Sequence, residues 1–343
     1  MINGRLAALA AVASALALMV GCGGDDDSGS GTASVKAPEG AKAMEKLGEG
    51  EGQVNLVAWA GYVEDGSTEK DVDWVTPFEK ETGCQVNVKV GNTSDEMVTL
   101  MRSGQYDGVS ASGDATLRLI AGGDVAPVNT DLIPNYADVF DALKDQPWNT
   151  VDGQEYGVPH GRGANLLMWR DDKVNPAPDS WGAVFDESSP YKGKVTAYDN
   201  PIYIADAALY LKATQPDLKI DNPYELDDEQ FTAAVDLLKK QRGIIGEYWS
   251  DYTKEQAAFT SGDSVIGTTW QVIANLLEAD KVPIKTILPK EGATGWSDTW
   301  MISSKAKNPN CMYMWMNHII SPKANAAVAE WFGEAPSNEK ACA

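Results

Sequence analysis

Positive charge is scarce in this chain: 28 Lys and Arg stand against 50 Asp and Glu, a formal net charge of −22 over 343 residues. Nucleic acid and anionic lipid surfaces are poor partners for such a chain. Histidine is scarcer, with two residues, and the four cysteines form neither a CxxC nor a His/Cys cluster, so no metal or other cofactor is expected. The phosphate loop GxxxxGK[ST], the dinucleotide turn GxGxxG and the nucleophile elbow GxSxG do not occur. Two scattered histidines suggest no catalytic triad either. Long apolar runs are limited to Leu6 to Val20, too short to span a bilayer as a mature helix.

That run has a use. Arg5 precedes it and Gly21-Cys22 follows, which is the layout of an export signal over residues 1–21. Leu18-Met19-Val20-Gly21-Cys22 resembles a bacterial lipobox, with Met19 where Leu is usual, and implies lipidation of Cys22 at the outer face of the cell membrane. Residues 22–53 are rich in Gly, Asp, Ser and Glu and read as a flexible tether. Beyond Cys22, the compartment is oxidising, and of Cys84, Cys311 and Cys342 the favoured pair is Cys311 with Cys342.

The rest is long enough for two α/β lobes. Val54 to Trp59 reads as a buried strand, Asp71 to Thr82 as a helix stopped by Gly83, and Val86, Val88 and Val90 as one face of a half-buried strand. Thr93-Ser94-Asp95-Glu96 opens a helix with a capping-box pattern, and Tyr106 to Ser110 returns to strand. This β-α-β-α-β order requires crossover helices and a mostly parallel sheet. A second βα region holds a strand at Gly193 to Tyr198, helices at Ile204 to Ala213 and Asp227 to Arg242, and strands near Ser264 to Thr268 and Ile284 to Leu288. In the second helix Phe231, Val235 and Leu238 form the apolar face. Cys311 to Ile320 and Lys323 to Phe332 close the chain as helices.

Chemistry collects at the ends of these strands, where open α/β sheets place ligands. Trp59 and Tyr62 follow the first strand, Ser112 and Asp114 the third, Asp199, Asn200 and Tyr203 a second-lobe strand, and Trp270 another. In Gly295-Trp296-Ser297-Asp298-Thr299-Trp300 a carboxylate stands between indoles, an arrangement suited to an organic cation: the carboxylate takes charge and N–H groups, the rings take the apolar stem. Each piece alone reads more readily as packing or turn chemistry than as a site.

Together they carry a resemblance. Trp59-x-x-Tyr62, Glu81-Thr82-Gly83, Ser94-Asp95-Glu96-Met97 and Tyr106-Asp107-x-Val109, with the stretch from Pro289 to Asn317, resemble the spermidine/putrescine-binding proteins of ABC importers. Asn92 to Met101 and Pro201 to Leu211 match one branch of that family most closely. The resemblance implies a two-lobed type II periplasmic-binding-protein fold, with lobe I formed by 54–159 and 298–343, lobe II by 160–297, and a hinge between them. It implies a monomeric, non-enzymatic protein that captures a polyamine for a membrane permease. Trp59 and Tyr62 would line one wall, Ser112 would hydrogen-bond at the strand end, Trp270 and Trp296 would clamp the stem, and Asp298 would hold an ammonium.

The chain also departs from the family. Asn200 and Tyr203 occupy positions where the family carries carboxylates, with Asp199 and Asp206 nearby, while Asp114 and Glu334 stand at or near family tyrosines. The family's chains continue past the position of Ala343. Arg162, in His160-Gly161-Arg162-Gly163, would favour a carboxylate-bearing ligand such as an amino acid or γ-aminobutyrate if it faced the cleft, and a quaternary amine such as betaine is a further variant. A secreted hydrolase with paired carboxylates and tryptophan platforms is the rival class.

Overall fold

The computed structural model describes residues 35–342. Residues 1–21 and Cys22, expected as export signal and lipidation site, lie outside the described residues.

Two sheets dominate. In the first, the spatial order is Ala335–Pro336, Val158–Ala164, Gly295–Ser303, Gly108–Ser112, Gln53–Ala58 and Gln85–Val90, with Val125–Ala126 beside Gly295–Ser303. Gln53–Ala58 runs parallel to both its neighbours, as the βαβ order requires, whereas Gly295–Ser303 is antiparallel to both of its long neighbours. The second sheet has the order Ile245–Trp249, Val195–Tyr198, Ile266–Thr269, Leu166–Arg170 and Ile284–Ile287, parallel in its first three strands and antiparallel in the rest. Leu56, Val57 and Ala58 are all buried because helices cover both faces of the first sheet, so a continuous apolar run replaces alternation. Gln85–Val90 is the opposite case: it is an edge strand, and Val88, expected inside, is exposed.

Each sheet has its own core. Val54, Trp300, Met312 and Trp315 belong to the first; Trp181, Phe185 and Tyr203 pack on one side of the second, and Trp249, Phe259 and Leu277 on the other. The chain passes between sheets at Ala164 to Leu166 and before Gly295, so the strands that make the crossing belong to the first sheet over their whole length. The sequence boundaries at 159/160 and 297/298 cut into those strands. Hydrogen-bond continuity, which composition does not register, carries both strands across those positions.

Three further expectations change. Residues 35–52, read as tether, lie against the first core through Val35, Ala37, Met44 and Leu47. Glu51 accepts from Asn310 N (3.0 Å) and Cys311 N (2.9 Å), so its carboxylate caps the helix Pro309–Ile319 instead of solvating a linker. The disulfide joins Cys84 to Cys311, with Cα atoms 5.8 Å apart, and Cys342 is free and exposed. Cys84 ends the turn before the edge strand and Cys311 starts the helix packed beside it; both are fully buried, a proximity created only by the sheet. Finally, Asp228–Gln241 has the capping box of Asp227 and Gln230, but its inward residues are Ala234, Leu237, Leu238 and Gln241, and Phe231 faces solvent.

Candidate functional site

Asp298 sits in the strand Gly295–Ser303 directly opposite Ser112 on one side and Gly161 on the other. Opposed residues of antiparallel strands share a face, so these three point the same way. Ser112, the last residue of its strand, donates its hydroxyl to Asp298 Oδ1. Tyr62 Oη lies 2.7 Å from Asp298 Oδ2 and 2.7 Å from Glu334 Oε2. Burial pushes the Asp298 carboxyl up to about 6, against the downward pull of the Ser112 and Tyr62 hydrogen bonds; Asp114 adds to the rise. Burial likewise pushes Glu334 well above the usual carboxylate range.

His160 explains how these groups fit. Asp298 pairs with Gly161 but Thr299 pairs with Pro159, which leaves His160 as the extra residue of a bulge. Its ring is fully buried, 4.5 Å from the Tyr62 ring and with Nδ1 3.7 Å from Glu334 Oε1, and burial lowers its pKa to about 3, so it is neutral. Gly161 beside it and Gly163 two residues on leave room for side chains from neighbouring elements. A Cβ on Gly161 would stand 2.1 Å from the Glu334 carboxyl, and one on Gly163 would stand 2.4 Å from the Trp296 ring. The motif His160-Gly161-Arg162-Gly163 thus admits one carboxyl and one indole to a single face of the sheet.

Arg162 falls on the other face. Its guanidinium donates to Pro336 O at 2.8 Å and stacks on Phe140 at 5.1 Å. It therefore does not face the carboxylate side, because strand alternation separates it from Gly161 and Gly163.

Across from this wall, the second sheet supplies aromatics. The Trp270 ring lies 5.2 Å from Tyr198, 4.9 Å from Trp249 and 6.0 Å from Trp59, the last contact reaching from one lobe to the other. Trp270 precedes the helix Gln271–Ala279, and Trp59 follows Gln53–Ala58, so both project from strand ends. Asp114, in the first turn of Gly113–Ala121, accepts from Asn200 Nδ2 at 3.0 Å, a second contact between lobes. Burial raises the Asp114 pKa, offset in part by Ser94, Asn200 and Arg118. Trp296 packs beside Phe332, its indole N–H buried without a partner.

Of the residues singled out in sequence, Trp59, Tyr62, Ser112, Asp114, Asn200, Trp270, Trp296, Asp298 and Glu334 are brought to the two facing walls. Tyr203 is not: it is buried in the second core, its hydroxyl accepting from Gln241 Nε2 at 3.0 Å. Asp199 is exposed, and with Tyr198, Asn200, Tyr203 and Tyr248 it lines a hollow of about 300 Å³ in the second lobe. Sequence reasoning missed Tyr198, Trp249 and His160, for which no local pattern stands out from ordinary core residues. Among the described residues no group of three or more His, Cys, Asp or Glu could hold a metal ion, and no helix is long and apolar enough to cross a membrane.

The crossings form a latch. Asn165 N donates to Thr294 O at 2.9 Å and Asn165 Nδ2 to Thr294 Oγ1 at 2.7 Å, while Thr294 Oγ1 donates to Asp206 at 2.8 Å. Tyr224 Oη bonds both Gly295 O and Gly295 N at 2.9 Å. Burial raises Asp206 to about 7. These bonds tie both crossing strands to each other and to the second lobe.

Comparison with known proteins agrees with this architecture. The chain is 27% identical over 294 residues to the putrescine-binding periplasmic protein SpuD of Pseudomonas aeruginosa, covering 81% of this chain and 76% of that one. Among solved structures it matches the spermidine/putrescine ABC transporter substrate-binding protein PotD of Streptococcus pneumoniae with a TM-score of 0.66, at 19% identity over 83% of each chain. It also matches the Atu4243–GABA receptor with a TM-score of 0.65, at 20% identity over 84% of this chain and 83% of that one. These likenesses establish the two-lobed α/β binding-protein fold. The profile of the bacterial extracellular solute-binding proteins matches residues 73–343, and the chain belongs to that family.

Proposed function

We propose that the protein is the exported solute-binding component of an ABC importer, closing its lobes on an amine cation of the putrescine–spermidine class and delivering it to a membrane permease. Asp298 carries this reading. It is a carboxylate held by Ser112 and Tyr62 on a buried face of the first sheet, in the lobe that also carries Trp59, whose indole meets that of Trp270 from the second lobe. Burying an ammonium is costly unless it is paired, which makes such a carboxylate selective for cations. Aromatic faces then replace water around the alkyl stem and add cation–π attraction.

Closure is favoured only by contacts the ligand makes with both lobes, and the latch at Asn165, Thr294 and Gly295 is where the chain would bend. The periplasmic relatives and the export signal support a location outside the cytoplasm, with lipidation of Cys22 as the anchor and a monomer as the working unit. A carboxylate-bearing ligand loses its support, since Arg162 is engaged on the far face of the strand.

Calorimetric titration of the purified protein with putrescine, spermidine, γ-aminobutyrate and glycine betaine tests the reading. Saturable binding of the amines, lost in Asp298→Asn, is the expected result. Binding of γ-aminobutyrate alone would overturn it.

A further inference from the structure

We infer that charge recognition in this cleft is one-ended: a single ammonium is held at Asp298, and the rest of the ligand is read by aromatic and amide surface with no second carboxylate. The inference rests on the amine reading above and specifies which amines the site serves.

The carboxyl groups can be accounted for one by one. Asp298 and Glu334 meet at the same phenol oxygen, each 2.7 Å from Tyr62 Oη. A phenol has one hydrogen to donate, so one of the two carboxyls must bring its own proton to that contact. Ser112 gives Asp298 a second donor, whereas Glu334 Oε1 is buried with no hydrogen-bond partner and only the neutral His160 nearby. Asp298 is thus the ionised member and Glu334 the protonated one, and the pair carries one negative charge.

Asp114 is the other carboxylate of this wall, and the protein already supplies its donor: Asn200 of the opposite lobe at 3.0 Å. An amide occupies the place that a second ammonium would take. In the second lobe the carboxyls are committed elsewhere. Asp206 takes the Thr294 hydroxyl at the crossing, Glu255 lies buried between Thr196 (3.2 Å) and Thr269 (3.1 Å), and Asp199 stands in solvent. A second ammonium buried at that wall would meet aromatic side chains and no carboxylate, which return only part of its hydration.

Titrating the parent protein with n-butylamine, putrescine and spermidine tests this. Butylamine is expected to bind within about tenfold of putrescine, and spermidine no more tightly than putrescine. A preference for putrescine over butylamine of about a hundredfold or more overturns the inference and leaves the amine reading intact. Failure of all three to bind overturns both. Asn200→Asp provides an independent arm, because two carboxylates facing each other at closure need a cation between them. It should shift the putrescine-to-butylamine ratio toward putrescine by about tenfold while the thermal midpoint stays near that of the parent. An unchanged ratio in a folded variant would show that Asn200 does not stand in for a second ammonium.

Discussion

The two walls of the cleft are built from different materials. The first carries buried carboxyls and hydroxyls, Asp298, Glu334, Tyr62 and Ser112, fixed by three adjacent antiparallel strand registers and a bulge. The second carries the rings of Tyr198 and Trp270, backed by the buried Trp249, with its nearest carboxyls turned inward or into solvent. A buried carboxylate stabilises a cation only if its geometry is preset, since its desolvation penalty is already incurred before the ligand arrives. An aromatic wall tolerates displacement, because dispersion and cation–π attraction vary gently with position. On the proposed function, charge on one side and rings on the other would let one lobe orient the ligand and the other follow it.

The largest expected effect that would break this comparison is Asp298→Asn, which should weaken putrescine binding by about 2–5 kcal/mol in a calorimetric titration. The same change should leave the unliganded protein as stable as the parent, or more stable, at pH 8. The sign follows from linkage: a carboxyl raised to about 6 favours the folded state below its unfolded pKa and loses that contribution as pH rises through 6. A thermal midpoint that falls sharply at pH 8 would assign Asp298 a structural role.

Trp270→Ala should cost about 1–2 kcal/mol of amine binding, with a smaller effect on stability than Trp249→Ala, whose ring is fully buried. Equal loss of stability in the two variants would mean that Trp270 is merely core. Acidification sharpens the contrast further. Amine affinity should be level above pH 7 and fall about tenfold per unit below pH 6 as Asp298 takes up its proton, a dependence that Asp298→Asn abolishes. The smallest effect belongs to Arg162→Ala. It should leave amine affinity within about twofold and lower stability by roughly 1 kcal/mol through the lost Pro336 hydrogen bond. A large change in affinity would return Arg162 to the cleft.

Local pattern made much of this legible. The capping pattern at Thr93 yields the helix Ser94–Arg102, with Thr93 Oγ1 accepting from Glu96 N, and the apolar run before Trp59 is a buried strand. Trp59, Ser112 and Trp270 do stand at strand ends, since the C-terminal edge of a parallel sheet is fixed by chain direction. Glu334 was visible as a stray acid but not as part of a network, because its partners Tyr62 and His160 come from 272 residues away and from a bulge. Cys84 and Cys311 are 227 residues apart and share no local signal. The placement of Tyr203 in the second core is of the same kind: helix position alone does not tell whether a ring faces the cleft or the core behind it.

What the sequence determined by itself was the set of elements, their α/β order and the strand-end residues, since periodicity, capping and chain direction are local properties. What only the tertiary structure decided was which carboxyls meet at one phenol, which cysteines meet and which face of Val158–Ala164 holds Arg162. Those outcomes depend on strand register, and a shift of one residue would turn every side chain of the strand to the opposite face.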